Sequence, residues 1–234
     1  MLEVKDLYVN YGNLSIIQGV SMRVEKGENV ALIGANGAGK TAFVRALSQL
    51  NTITGGQILF EGEDVTLWTP DKMVEAGIIQ VPEGRKLFPK MTVRENIEMG
   101  AYAKRAKAKM AENIDYVYSV FTDLSRMEKQ LCGNLSGGQQ QMVAIARGIM
   151  ACPKLLILDE PSIGLSPITT QSMFEVISLI HSSGIAVLIT EQNVHDVLRM
   201  ADRAYVMQQG KIAMSGSAAD IAKDEDLRKI YLGM

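Results

Sequence analysis

Val30-Ala31-Leu32-Ile33 runs directly into Gly34-Ala35-Asn36-Gly37-Ala38-Gly39-Lys40-Thr41, and the reading of this stretch decides the fold. The apolar run is strand-sized and reads as a strand buried on both faces of a parallel sheet. The residues after it fit G-x-x-x-x-G-K-[ST] in the strand-to-helix setting that pattern requires. Glycine lets a backbone wrap closely around phosphate, with successive N–H groups turned inward. A helix opening at Lys40 adds its positive end. Gly34, Ala35, Asn36, Gly37, Ala38 and Gly39 are therefore expected to cradle the phosphates of ATP. Lys40 is expected to reach the β- and γ-phosphates, and the Thr41 hydroxyl is a hard oxygen ligand suited to Mg2+.

A second buried run lies downstream. Leu155-Leu156-Ile157-Leu158 delivers Asp159-Glu160-Pro161 at its C-terminal end, the end of a parallel sheet where ligands bind. An Asp-Glu pair by itself often marks an exposed turn. Beside a phosphate loop the two acids divide the work: Asp159 can hold the Mg2+ shell while Glu160 orients or deprotonates the attacking water.

Around these runs the chain falls into three stretches. Residues 1–28 read as strands with turns at Tyr11-Gly12-Asn13 and Glu25-Lys26-Gly27-Glu28. From Thr92 to Ala151 the period is helical, with Thr92 and Glu95 spaced as a capping box. From Leu155 on, short apolar strands alternate with helix-length segments, which implies βαβ units. Arg203–Met214 reads as a hairpin turning at Gln209-Gly210, and the Lys104–Lys109 cluster reads as the wet face of a helix.

A length of 234 residues suffices for one large α/β domain with its own core. The net charge of −2 gives no reason to expect a nucleic-acid partner. Runs such as Ile185–Ile189 are far too short to span a bilayer, and residues 1–10 do not resemble a secretory leader. Cys132 and Cys152 lack metal-site spacing, which fits a reducing cytoplasm. If the protein works at a membrane, another chain must cross it.

Leu135-Ser136-Gly137-Gly138-Gln139-Gln140-Gln141 then names the class. Ser136 with Gln139 forms a capping box, and Gly137 and Gly138 leave a helix end open to an anion. In order with the phosphate loop and the acidic strand, this segment resembles the signature of the ABC ATPases, a resemblance that covers nearly the whole chain. It implies an α/β P-loop NTPase fold. Residues 29–91 and 152–234 would form a mostly parallel core, 1–28 an antiparallel β subdomain, and 92–151 an inserted helical subdomain. It further implies that Ser136, Gly137 and Gly138 meet the γ-phosphate of ATP held by a second ATPase subunit. Tyr11 sits where the family stacks an aromatic ring on adenine. Ala42 adjoins the α-phosphate where many relatives carry a hydroxyl. Residues 162–166 resemble the loop that crosses between subunits, with Ser166 where many relatives have Asp.

Two departures mark the γ-phosphate region. Gln80 is a candidate for the Mg2+-contacting Gln of the family, but counting back from Leu87-Phe88-Pro89 favours Glu83. After the strand Ala186–Thr190, Gln192 stands where a histidine is usual; His195 is out of register and His181 lies in the preceding helix. Lys40, Glu160 and Gln192 are thus the expected catalytic set, with Thr41, Glu83 and Asp159 the expected Mg2+ set. Val81–Arg85, Glu191-Gln192-Asn193 and Tyr231-Leu232-Gly233 resemble the shorter ATP-binding subunit of branched-chain amino acid importers, whose kin serve urea or amides. That branch implies membrane permeases as partners, a periplasmic binding protein acting indirectly, and a place on the cytoplasmic face of the membrane. Non-transport ABC ATPases generally show fused domains or long coiled-coil arms, which this sequence lacks, and the intact Glu160 argues against a switch that does not turn over.

Overall fold

A computed structural model describes residues 1–224; Tyr231-Leu232-Gly233 lies outside them. The strands are β1 (Leu2–Tyr11), β2 (Leu14–Val24), β3 (Asn29–Ile33), β4 (Ile53–Phe60), β5 (Glu63–Asp64), β6 (Ile78–Val81), β7 (Leu155–Asp159), β8 (Ala186–Glu191), β9 (Arg203–Gln208) and β10 (Lys211–Ser217). The helices are α1 (Lys40–Leu47), α2 (Pro70–Ala76), α3 (Val93–Glu98), α4 (Lys104–Lys107), α5 (Met110–Val120), α6 (Thr122–Arg126), α7 (Gly137–Met150), α8 (Pro167–Ser182), α9 (Val194–Met200) and α10 (Ala218–Ile221).

The six-stranded sheet has the order β10-β9-β3-β8-β7-β6, parallel except for the β9–β10 hairpin. Its inner strands are buried along their whole length, which is why they read as unbroken apolar runs. The side chains still alternate between two cores. In β3, Ala31 and Ile33 join the core under α7 and α8, whereas Val30 and Leu32 join Phe43 and Leu47 of α1 beneath the antiparallel sheet.

That antiparallel sheet is larger than the 1–28 stretch expected to form it. Its order is β2-β1-β4-β5, so residues 53–64 leave the assigned core segment and pair along the free edge of β1. The physical reason is that a lone hairpin holds its register poorly and leaves β1 unpaired on one side. The glycines and polar residues of Ile53–Phe60 conceal a strand whose other neighbours supply its pairing.

Residues 93–150 form the helical stretch. The capping boxes at Thr92/Glu95 and Ser136/Gln139 are both closed from both sides. One expectation there is corrected. Lys104, Lys107 and Lys109 are exposed, but Arg105 turns inward and donates to the carbonyls of Val74, Glu75, Ala151 and Cys152. Those carbonyls end α2 and α7, and a planar guanidinium with many donors can serve all of them at once.

Candidate active site

Gly39 caps α1 with φ 111° and Gly37 has φ 78°, a left-handed backbone that glycine adopts without steric cost. Gly34 is needed for space instead: a Cβ there would lie 2.5 Å from the Met207 carbonyl oxygen of β9. The turn after β9 braces the loop, since Gly210 N–H donates to the Ala38 carbonyl at 2.8 Å.

Lys40 and Thr41 face the end of β7. Lys40 is 4% exposed, and its Nζ donates to the Gly34 carbonyl at 2.6 Å and lies 2.8 Å from Glu160 Oε1. Thr41 Oγ1 donates to Asp159 Oδ1 at 3.2 Å. Glu160 has φ 48°, a left-handed conformation that is uncommon for a residue with a Cβ, and such strain persists where the surroundings enforce it. Here Thr190 of β8 does so. Its hydroxyl donates to Asp159 Oδ1 at 2.8 Å and accepts from Glu160 N–H at 3.0 Å. Burial pushes the Asp159 carboxyl up, and the negative charges of Glu160 and Glu83 add to this. Hydrogen bonds from Thr190 and Thr41 oppose it.

Glu83 is an exposed residue just past β6, near enough for its charge to reach Asp159. Gln80 lies within β6, paired with Ile157. Among the described residues no group of three or more acidic, His or Cys side chains could by itself hold a metal. The Thr41 and Asp159 oxygens instead make a sparse, hard set of the kind Mg2+ shares with substrate phosphates. The residues present fit that ion.

Tyr11 ends β1, half-exposed. Asn51 Nδ2 donates to its hydroxyl at 2.9 Å and to the Ala42 carbonyl at 3.0 Å, tying the ring to α1. The Ala42 methyl itself is buried in the core. His195 is exposed against its neighbour Asp196, and His181 bonds the Gly27 carbonyl before β3, at the opposite end of that strand from the phosphate loop.

Ser136, Gly137 and Gly138 are not brought to this cluster. Among the described residues no hydrogen bond or ion pair joins them to residues 34–42. Ser136 and Gly138 line a hollow of about 530 Å³ with Phe121, Met142 and Ile168. Residues 35–38 line another, of about 690 Å³, with Met207 and Lys211.

Several site residues escaped sequence reasoning. Thr190 and Glu191 are wholly buried at the C-terminal end of β8, beside Asp159 and Glu160. The signal was a polar pair ending an apolar strand at the ligand-binding edge. Glu191 accepts from Ser162 N–H at 3.0 Å, Ser162 O–H at 2.7 Å and Gln192 N–H at 3.2 Å. Burial raises its carboxyl, with these bonds opposing. Arg85 stands in the sequence only as the end of Val81–Arg85, with no role of its own: its guanidinium bonds Gln140 at 3.3 Å and lies against Gly137 at the start of α7.

Residues 17–163 match the family described as ABC transporter. The chain is 40% identical to the high-affinity branched-chain amino acid transport ATP-binding protein BraG of Pseudomonas aeruginosa, over 100% of both chains. It is 30% identical to the lipopolysaccharide export system ATP-binding protein LptB of Escherichia coli strain K12, over 99% of this chain and 97% of that one. Among solved structures it resembles the ADP conformation of an ATP-binding cassette of an ABC transporter. The TM-score is 0.88 at 27% identity, covering 100% of this chain and 99% of that one.

Proposed function

The chain belongs to the ABC transporter family and is an ATPase, and on that footing we propose that it powers import of branched-chain amino acids through membrane permeases supplied by other chains. The observation that carries this reading is the end-to-end 40% identity with BraG. Among the described residues no helix is long and apolar enough to cross a membrane, so attachment to the cytoplasmic face would run through those permeases. Phe88, Met99 and Tyr102 are exposed, the last two lining a hollow of about 250 Å³ between β6 and α7. That region, next to Glu83–Met91, suits a short permease helix.

The proposed roles are supported by the contacts of the phosphate loop and the acidic strand and, for Tyr11, Ala42, Gln192 and the Ser136 segment, by the family resemblance. The backbone of 34–39 and Lys40 bind the phosphates, Ala42 adjoins the α-phosphate, and Tyr11 stacks on adenine. Thr41 and Asp159 hold Mg2+, with Glu83 beside them. Mg2+ held there would supply positive charge against the developing charge on the phosphates. Lys40 is paired with Glu160 at 2.8 Å. A γ-phosphate competing for the ammonium releases that carboxylate, which then orients and deprotonates water. Gln192 donates to the phosphate without titrating. Ser136, Gly137 and Gly138 close over nucleotide held by a second ATPase subunit, and a periplasmic binding protein feeds the assembly.

The test is ATP turnover by the chain copurified with its membrane partners in liposomes. Stimulation by a leucine-loaded binding protein is expected. Stimulation by urea or an amide instead would replace the substrate, and failure to copurify with any membrane protein would remove the transport role.

A further inference from the structure

Glu191 has no task in the hydrolysis just outlined, yet it is among the most completely buried charged groups in the chain, 0% exposed. A carboxylate out of water costs several kcal/mol unless donors replace its hydration. The donors here come from two different loops. Ser162 gives its N–H and its O–H from the loop that follows Glu160. Gln192 gives its N–H from the loop that follows β8. β7 and β8 are adjacent, with Asp159 opposite Thr190, so Glu191 bridges the two segments that leave the catalytic edge of the sheet.

We propose that Glu191 is a positioning residue that clamps the Ser162 loop to the Gln192 loop, so that phosphate contact at Gln192 fixes the loop offered to the second subunit. This rests on the reading that Gln192 meets the γ-phosphate and that residues 162–166 face a partner.

The chemistry of the clamp supplies its own probe. Glu191→Gln keeps the shape but replaces one acceptor oxygen with an NH2 group. With the amide oxygen on Ser162 N–H, the NH2 lies where Oε2 was. The Ser162 hydroxyl can rotate to accept from it, but Gln192 N–H then faces another donor. The substitution therefore keeps the tie to Ser162 but removes the acceptor that fixes the Gln192 N–H, leaving Gln192 held to residue 191 through the peptide bond alone. Ser162→Ala cuts the opposite side, removing the hydroxyl bond and leaving the N–H bond.

The experiment combines steady-state ATP hydrolysis with hydrogen exchange of residues 161–167, with and without a non-hydrolysable ATP analogue, on the full chain. In the parent chain the analogue should protect residues 161–167. In Glu191→Gln analogue affinity should stay within about twofold, kcat should fall about tenfold with KM little changed, and the analogue-induced protection should vanish. A parental kcat in Glu191→Gln, or protection of 161–167 as in the parent, overturns the clamp. So does a loss of kcat no larger than the loss of folded protein in a melt. If Glu191→Gln does not fold, Ser162→Ala decides: reduced protection with analogue binding intact supports the clamp, and parental behaviour overturns it. If the parent chain binds no analogue, the ATPase reading and the clamp fall together; if it binds and the variants match it, only the clamp falls.

Discussion

Lys40 Nζ and Glu160 Oε1 stand 2.8 Å apart, each side chain less than a tenth exposed. A buried pair of this kind is costly to break from one side, because the partner is left as an uncompensated charge. It also holds both groups where the phosphate cradle meets the acidic strand. The ammonium cannot serve a phosphate fully, nor the carboxylate a water, until the pair loosens.

Glu160→Gln should retain ATP binding, because Lys40 keeps its bonds to the Gly34 and Ala35 carbonyls. Hydrolysis should fall by about 10²–10⁴, the usual worth of a positioned base. Nucleotide binding by equilibrium titration and phosphate release together check this. Near-parental release would remove Glu160 as the base.

His195→Ala should leave turnover unchanged and stability within about 0.5 kcal/mol, the range for surface changes. The ring is exposed and bonds Asp196 on its own helix. A drop in phosphate release of tenfold or more would return His195 to the γ-phosphate.

Gly34→Ala and Gly37→Ala should part company in chemical denaturation. The first forces a methyl to within 2.5 Å of the Met207 carbonyl and should cost about 3 kcal/mol or more. The second has open space and loses only its left-handed freedom, about 1 kcal/mol. Equal losses would contradict the contact with β9.

Thr190→Val removes one hydroxyl and keeps the shape. Asp159 loses a donor, while Glu160 N–H retains the Thr190 carbonyl at 3.1 Å. Stability should fall by about 1–3 kcal/mol, and more Mg2+ should be needed for half-maximal turnover. An unchanged Mg2+ requirement would separate Thr190 from the metal ligands.

Burial raises the Glu191 carboxyl above its ordinary value of 4.5. The folded chain therefore keeps this proton at pH values where the unfolded chain has released it, so stability declines as pH climbs through that window and is level above it. Asp159, also raised by burial, has the same sign. Glu191→Gln should make the decline of Tm from about pH 4.5 upward shallower. A slope unchanged from the parent would show that Glu191 does not titrate there.

The parallel core was legible because strands buried on both faces cannot hide: β3, β7 and β8 are buried throughout and apolar except at their ends. The phosphate loop, both capping boxes and the terminal hairpin follow from local chemistry as well. What escaped depends on partners distant in sequence. Strand β4 is strand-like only because β1 has an edge to fill. Arg105 looks like its lysine neighbours until four distant carbonyls claim it. Thr190 and Glu191 were passed over because a buried polar group declares its purpose only through the residues it bonds.

Gly210 ties the cradle to both sheets, donating to Ala38 and accepting from Gln18 N–H at 2.9 Å. Strand β3, which carries the cradle, pairs among the described residues with β8 and β9. During synthesis the cradle therefore emerges long before the segments that hold it in shape. Domains mature only when their distant contacts are available. A ribosome-bound chain that ends before residue 203 carries the whole glycine-rich sequence without its brace. Competence to hold nucleotide thus waits until β9 and the Gly210 turn have been made, long after the motif itself.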